Sequence, residues 1–173
     1  MTSEISLLQT CDLTLLPGVG AFPNAIKNLR KRGLDEYLAE EAINDRPILG
    51  ICLGMQLLAT CSYEGKQTKG LGLIPGEILP LHDNKYHIGW NNIKIKKEGA
   101  NKIILDENIE YFFNHGFYFS GSDENICATT TDNFTFAAII KRKKILGVQF
   151  HPEKSQKAGK LFLIEAIKSL VYA

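Results

Sequence analysis

The first third of the chain alternates short apolar runs with segments of helical periodicity. Residues 13–16 form an apolar run that Pro17-Gly18 stops, and Pro47 opens a second apolar run. Between these runs, apolar residues recur at helical spacing over residues 22–31 and again over residues 34–43, with a glycine at the boundary. The pattern predicts strand, helix, helix, strand and then a further helix, which is the alternation of an open α/β sheet.

From residue 71 onwards the pattern changes to short segments that read as β-strands. The predicted strands cover residues 76–81, 91–96, 110–119, 127–131 and 136–140. A further strand is expected at residues 145–150, and residues 158–170 close the chain as an amphipathic helix. We therefore expect a mostly parallel sheet flanked by helices, with an antiparallel β excursion before the last strand and helix.

Candidate chemistry lies first at a cysteine that follows the second apolar run. Cys52 stands between Gly50 and Gly54. This is the layout of a nucleophile elbow, in which a strand turns sharply into a helix and exposes one side chain at the bend. The N-terminus of that helix and an imidazole partner would favour the thiolate. Taken alone, Cys52 reads better as a buried structural cysteine than as a nucleophile.

The second candidate is a histidine and a glutamate two residues apart, far downstream. In an extended conformation His151 and Glu153 would lie on one face, so that the carboxylate could orient the imidazole. Together with Cys52 they would form a nucleophile, a base and an orienting acid. The alternative is a histidine at a strand end that only makes structural hydrogen bonds.

Composition and charge narrow the classes of function. At 173 residues, 45% of them hydrophobic, residues 1–173 are expected to form a single domain. The net charge of +1 does not favour nucleic acid or an anionic membrane as a partner, and no apolar run approaches membrane-spanning length.

The basic run at residues 141–144 reads as a solvated turn, or else as part of a docking face. The four cysteines lack disulfide or metal spacing, so we expect reduced thiols and a cytoplasmic location. The sequence shows neither a cluster of metal ligands nor a dinucleotide-binding fingerprint, so we expect no metal and no cofactor.

Four stretches of the chain, in order, resemble one family over nearly the whole length. The chain resembles the class I (triad) glutamine amidotransferases, and among them the glutaminase subunits of imidazole glycerol phosphate synthase. This resemblance implies a flavodoxin-like fold. Members usually begin with a further strand and helix before residues 13–16, so the chain is expected to be short at its N-terminus. The four stretches are Leu16-Pro17-Gly18-Val19-Gly20-Ala21-Phe22, the Cys52 elbow, His87-Ile88-Gly89-Trp90-Asn91, and His151 through Ser155.

The resemblance also implies roles for individual residues. Backbone amides of Val19-Gly20 and of Leu53 would form the oxyanion hole, and Cys52, His151 and Glu153 the triad. The remaining assignments are Gln56, Glu64 and the backbone of His115 and Gly116 for glutamine binding, and His87 and Trp90 for the interface with a partner. Asn114, Gly116 and Phe117 depart from the family pattern, which usually has Val, Ser and Tyr there.

The expected activity is glutamine hydrolysis to glutamate and ammonia. The resemblance implies a heterodimer with a (β/α)₈-barrel cyclase subunit, which uses the ammonia to make imidazole glycerol phosphate and an aminoimidazole carboxamide ribotide in histidine biosynthesis. Two alternatives stay open. A paralogous subunit would supply ammonia for amidino-sugars of surface polysaccharides, and a non-catalytic subunit would only bind a partner.

Overall fold

The computed structural model describes residues 2–82, 86–96 and 108–172. These residues form five α-helices and twelve β-strands. The helices are α1 (Ile5–Leu8), α2 (Phe22–Lys31), α3 (Leu34–Ile43), α4 (Leu53–Leu57) and α5 (Gln156–Val171). The strands are β1 (Thr14–Gly18), β2 (Ile48–Cys52), β3 (Cys61–Ser62), β4 (Thr68–Lys69), β5 (Gly76–Pro80), β6 (His87–Asn92), β7 (Lys94–Ile95), β8 (Glu110–His115), β9 (Phe117–Gly121), β10 (Ile126–Thr131), β11 (Thr135–Arg142) and β12 (Ile145–Val148).

The largest sheet is open and has the strand order β1-β2-β12-β11-β10-β7. Its first three strands pair in parallel, and the pairs from β12 through β11 and β10 to β7 are antiparallel. All five residues of β2 are buried, as expected for a strand that is covered on both faces. The predicted open α/β sheet with an antiparallel β excursion is therefore confirmed, and its parallel part is the part that carries the Cys52 elbow.

Two hydrophobic clusters lie against the sheet. One joins Phe22 and Ile26 of α2 and Leu38 of α3 to the elbow helix α4. The other joins Phe162 of α5 to Phe150, whose ring centroids are 5.0 Å apart. Because side chains alternate across a strand, Ile48 and Leu49 of β2 belong to different clusters. The sheet is thus packed from both sides, which holds the end of β2 in place.

The remaining strands of the excursion form two small sheets, and their strand boundaries differ from the prediction. The single strand predicted over residues 110–119 is two strands, because the extended conformation is interrupted at Gly116. Strand β8 pairs with β6, whereas β9 pairs with β5. The strand expected to begin at residue 91 begins at His87, since β6 pairs with β8 from His87↔His115 to Asn92↔Glu110. Exposed apolar residues such as Ile88 and Trp90 hide the alternation that would have marked this strand. The pairing places His115 at the end of β8, beside the Cys52 elbow.

The helices are short relative to the thickness of a bilayer. Within the described ranges, none of them combines the length and apolar character needed to cross a membrane.

Candidate active site

Cys52 lies at a sharp bend between a strand and a helix, as predicted. Its φ of 53° and ψ of −110° are rare for a residue with a side chain, so the bend is strained. The flanking glycines are required because α4 packs directly on the sheet. A Cβ on Gly50 would lie 2.8 Å from the backbone of Gly54, and a Cβ on Gly54 would lie 1.7 Å from the carbonyl oxygen of Leu16. The sequence Gly-x-Cys-x-Gly thus folds here as a nucleophile elbow.

A cavity of about 330 Å³ opens over Cys52. It brings together residues from the β1 loop, the elbow, the loop after β3, the β8–β9 junction and the turn after β12. Residues with a sequence-predicted role that line it are Val19, Gly20, Cys52, Leu53, Gln56, Glu64, His115, Gly116 and His151. The other lining residues are Tyr86, Asn114, Phe117 and Lys154.

The thiol of Cys52 is protonated in the resting site, which corrects the expectation that its thiolate is favoured. Burial raises the pKa of Cys52 to about 11, and the Glu153 carboxylate raises it further. The backbone N–H of Leu53, the ammonium of Lys154 and the side chain of Gln149 act in the opposite direction on this pKa but are outweighed. The S–H donates to the carbonyl oxygen of Asn114 over 3.9 Å. A base must therefore remove the proton before Cys52 can attack.

His151 and Glu153 are hydrogen-bonded, although the chain between them is not extended. Residues Pro152–Lys154 form a 3₁₀ turn, and this turn brings the Nδ1 atom of His151 to 2.7 Å from the Glu153 carboxylate. Because the carboxylate accepts the proton on Nδ1, the Nε2 atom of the neutral ring is the basic one. The His151 side chain is 2% exposed and lines the cavity over Cys52.

The backbone of His151 is held by strand β8 and the turn. Its N–H donates to the carbonyl oxygen of Phe112 at 2.8 Å. The Ser155 hydroxyl donates to the carbonyl oxygen of His151 at 2.7 Å and accepts from the N–H of Phe112 at 2.9 Å. The imidazole is therefore fixed at its backbone as well as at its ring.

The candidate oxyanion donors lie beside the nucleophile. Strand β1 pairs with β2 so that Gly18 is opposite Cys52, and the following Val19 and Gly20 continue along the cavity. Gly20 has a φ of 100°, a conformation that favours glycine. Leu53 opens helix α4, so its N–H points out of the helix start. The assignment of these amides to an oxyanion hole stays a prediction.

Gln56 and Glu64 both reach the cavity, and each also has an internal partner. The side-chain nitrogen of Gln56 donates to the carbonyl oxygen of Phe117 at 3.0 Å and to the side-chain oxygen of Gln149 at 3.2 Å. Both amide hydrogens are thereby used, and the oxygen of Gln56 is left to accept from a ligand. One carboxylate oxygen of Glu64 accepts from the N–H of Phe22 at 2.7 Å, at the start of α2. Its negative charge suits the cationic amino group of an amino acid.

Tyr86 is a wall of the cavity that the sequence did not single out. It is 70% exposed, and its ring lies over Gly116, where an added Cβ would come within 3.0 Å of it. The glycine that departs from the family pattern therefore leaves room for this tyrosine. No pattern around Tyr86 marks it, because the contact depends on the pairing of β6 with β8.

His87 is buried in this chain, and its assignment to the partner interface stays a prediction. It is 6% exposed, and its Nδ1 atom is 3.1 Å from the Nε2 atom of His115. Asn91 donates to the other ring nitrogen of His87 at 3.2 Å and to the carbonyl oxygen of Thr131 at 3.1 Å. Trp90 of the same strand is 44% exposed, so its role at an interface stays a prediction.

The His115 side chain also points inward, so that only its backbone is placed for the predicted contact with substrate. Its Nδ1–H donates to the carbonyl oxygen of Phe117 at 2.8 Å, which leaves Nε2 to accept from His87. Burial lowers the pKa of His115 to about 3, although the Phe117 carbonyl favours the charged form. The His115 ring is therefore neutral at pH 7.

Because His115 is buried and neutral, we expect the folded protein to lose stability in mild acid. The unfolded chain protonates His115 near its ordinary pKa of 6.5, whereas the folded chain resists protonation down to about 3. The contribution of neutral His115 to the free energy of unfolding is therefore complete above pH 6.5 and is lost as the pH falls below that value. At pH 5 the loss amounts to roughly 2 kcal/mol. Urea unfolding at pH 7 and pH 5 should show a markedly smaller difference for His115→Gln than for the wild type.

The control for this prediction is His82→Gln, which changes an exposed histidine. It should lose as much stability between pH 7 and pH 5 as the wild type does. Equal losses for His115→Gln and the wild type would contradict the prediction.

Within the described ranges, no group of three or more His, Cys, Asp or Glu side chains is arranged to hold a metal ion.

Comparisons with known proteins agree with this geometry. The family profile "Glutamine amidotransferase class-I" matches residues 2–168. The chain is 39% identical to imidazole glycerol phosphate synthase subunit HisH of Lactococcus lactis, over 94% of this chain and 82% of that protein. It is 40% identical to the HisH subunit of Listeria monocytogenes, over 100% of this chain and 84% of that protein.

A solved structure of a glutamine amidotransferase shares the fold. It superposes with a TM-score of 0.72 at 17% identity, covering 95% of this chain and 84% of that one. The profile match over most of the chain and the two relatives agree with the elbow and the His151–Glu153 pair. The chain belongs to the class-I glutamine amidotransferase family.

Proposed function

We propose that this chain is the glutaminase subunit of an imidazole glycerol phosphate synthase. The observation that carries the proposal is a single cavity lined by Cys52 and by His151, whose imidazole is hydrogen-bonded to the carboxylate of Glu153. The relatives named as HisH subunits of that synthase supply the pathway. Glutamine is the substrate and a cyclase subunit is the partner.

The first half of the reaction forms a thioester. The resting thiol donates to Asn114, so its S–H bond must turn away from that carbonyl oxygen before the proton passes to the Nε2 atom of His151. The sulfur then attacks the side-chain carbonyl carbon of glutamine, and the carbonyl electrons move to oxygen. When they return, the C–N bond breaks and His151 gives its proton to the leaving nitrogen. Ammonia departs and a glutamyl thioester remains.

The second half restores the enzyme. His151 takes a proton from water, and the resulting hydroxide adds to the thioester carbon. The C–S bond then breaks, glutamate leaves and Cys52 regains a proton from His151. The high pKa of the buried thiol makes this base indispensable, and the 2.7 Å bond from Glu153 stabilises the imidazolium in both halves.

The surrounding groups would position the substrate and the negative charge. The carboxylate of Glu64 would bind the amino group, and the free oxygen of Gln56 would accept from the substrate. The N–H groups of Leu53 and of the Val19-Gly20 loop would donate to the oxyanion, where one donor contributes about 3 kcal/mol. The negative charge appears only during the reaction, so these donors favour the transition state over bound glutamine.

The released ammonia would pass to a cyclase subunit of the (β/α)₈-barrel type in a cytoplasmic heterodimer. Ammonia is a nucleophile only when it is unprotonated, and in bulk water at neutral pH it is mostly ammonium. A sheltered passage to the partner therefore protects the reactive form. Trp90, exposed on β6, would lie in the interface.

The test is glutamine hydrolysis by the purified chain, with and without the cyclase barrel and the barrel's own nucleotide substrate. We expect glutamate release in the complex, coupled to formation of imidazole glycerol phosphate. Glutamate release without cyclisation by any histidine-pathway barrel would favour an amidino-sugar partner instead. No glutamate release in any complex would support a subunit that only binds a partner.

A further inference from the structure

One backbone carbonyl oxygen, that of Phe117, fixes the direction of several hydrogen bonds around the elbow. It accepts from the Nδ1–H of His115 at 2.8 Å and from the side-chain nitrogen of Gln56 at 3.0 Å. A carbonyl oxygen only accepts, so the nitrogen of the Gln56 amide must face it. The positions of the nitrogen and the oxygen in the Gln56 amide are therefore fixed by the Phe117 carbonyl, which can only accept a hydrogen bond.

The same logic fixes the next amide in the chain of contacts. The nitrogen of Gln56 also lies 3.2 Å from the side-chain oxygen of Gln149, which must be the acceptor of this bond. The nitrogen of Gln149 is consequently turned the other way, to 3.8 Å from the sulfur of Cys52. Gln149 is fully buried, and its backbone N–H donates to Ala138 at 2.9 Å. Its side chain thus has a single orientation, with a donor aimed at the nucleophile.

We propose that Gln149 is a positioning residue whose amide N–H stabilises the thiolate of Cys52, and that Gln56 and the Phe117 carbonyl hold that amide in place. The inference rests on the proposed function, because it concerns the nucleophile of that reaction. A donor to sulfur becomes stronger as negative charge develops on it.

The other groups that act on the thiol disfavour its thiolate on balance. Burial and the carboxylate of Glu153 disfavour the thiolate, whereas the backbone N–H of Leu53 and the ammonium of Lys154 favour it. The amide of Gln149 is a further donor beside that of Leu53. Glu64, His115 and His151 line the same cavity. The amide of Gln149 carries no charge, so it donates at any pH without titrating. It also leaves the imidazole of His151 free to act as the base.

The experiment measures alkylation of Cys52 by iodoacetamide in the intact chain, with each cysteine peptide quantified by mass spectrometry. Gln149→Met removes the donor at nearly constant volume. Loss of the donor lowers the thiolate fraction, and the more basic thiolate is in turn more nucleophilic, so alkylation of Cys52 should slow about fourfold at every pH from 7 to 9. Cys11, which is exposed, is the reference within each sample and should react at an unchanged rate.

A second variant tests the path through Gln56. Gln56→Met frees the amide of Gln149 to turn, so it should slow alkylation of Cys52 by a smaller factor. The double variant should react no more slowly than Gln149→Met alone. Multiplied effects in the double variant would show that Gln56 does not act through Gln149 and would overturn this step.

Glutamine turnover of the wild type with its cyclase is measured beside these variants. Alkylation of Cys52 at the wild-type rate in Gln149→Met, with wild-type turnover present, would overturn the positioning role and leave the proposed function standing. Absence of wild-type turnover would overturn the proposed function itself. Faster alkylation of both Cys52 and the buried Cys61 would mark an unfolded variant, and Gln56→Met would then decide the question.

Discussion

Cys52→Ser is expected to reduce glutamine turnover in the cyclase complex by at least about a thousandfold. A hydroxyl is far harder to deprotonate than a thiol, and the cavity already disfavours a negative charge at this position. His151→Asn should cause a loss of the same order, since it leaves the thiol without a base. Because the two residues act in one step, the double variant should be no worse than the poorer single variant.

The matched control is Cys61→Ser, which changes another buried cysteine. The Cys61 thiol contacts the Glu77 carboxylate at 3.7 Å, and Cys61 does not line the cavity. Its replacement should leave turnover within a small factor of the wild type. More than a tenth of wild-type turnover in Cys52→Ser would contradict the assigned nucleophile.

Gly54→Ala is expected to destabilise the fold by about 3 kcal/mol or more. The new Cβ would lie 1.7 Å from the carbonyl oxygen of Leu16, and both groups belong to packed backbone. Either α4 or β1 must move, and each carries part of the active site. Urea unfolding should show a lower midpoint, and turnover should fall even where the chain is folded.

Gly72→Ala separates steric overlap from backbone strain. Gly72 has a φ of 69°, but a Cβ there would meet nothing within 4 Å. The Gly72→Ala substitution should lower the free energy of unfolding by only about 1 kcal/mol, because alanine is strained in the left-handed conformation. Equal losses in the two variants would show that the close approach of α4 to β1 is not what Gly54 is needed for.

The elbow and the α/β order could be predicted because local sequence determines them. The glycines around Cys52 fit only a tight turn with a closely packed helix, and the apolar run before it makes a covered strand. His151 and Glu153 are two residues apart, so several local conformations bring them together. Their hydrogen bond therefore formed as expected, although a 3₁₀ turn replaces the predicted extended chain.

The properties that the sequence left open depend on contacts between distant segments. The burial that raises the pKa of Cys52 is the sum of many neighbours, and no local motif reports it. The inward turn of His87 follows from its pairing opposite His115 in the β6–β8 sheet. Tyr86 reaches the cavity through the same pairing. None of these could be read from spacing along the chain.

Gln149 is a different case, because its position in the sequence indicated that it could lie near the active site. It lies two residues before His151, within the same conspicuous stretch of sequence. What could not be foreseen is its contact with Gln56, which is 93 residues earlier in the chain. Only that contact shows which end of the amide faces the sulfur of Cys52.

The most direct test is labelling of the working complex with an electrophilic analogue of glutamine. The account predicts one label per chain, on Cys52, with turnover lost in proportion to labelling and with protection by glutamine. His151→Asn should label far more slowly. Loss of turnover with Cys52 unmodified, or a label on Cys61 in its place, would contradict the account.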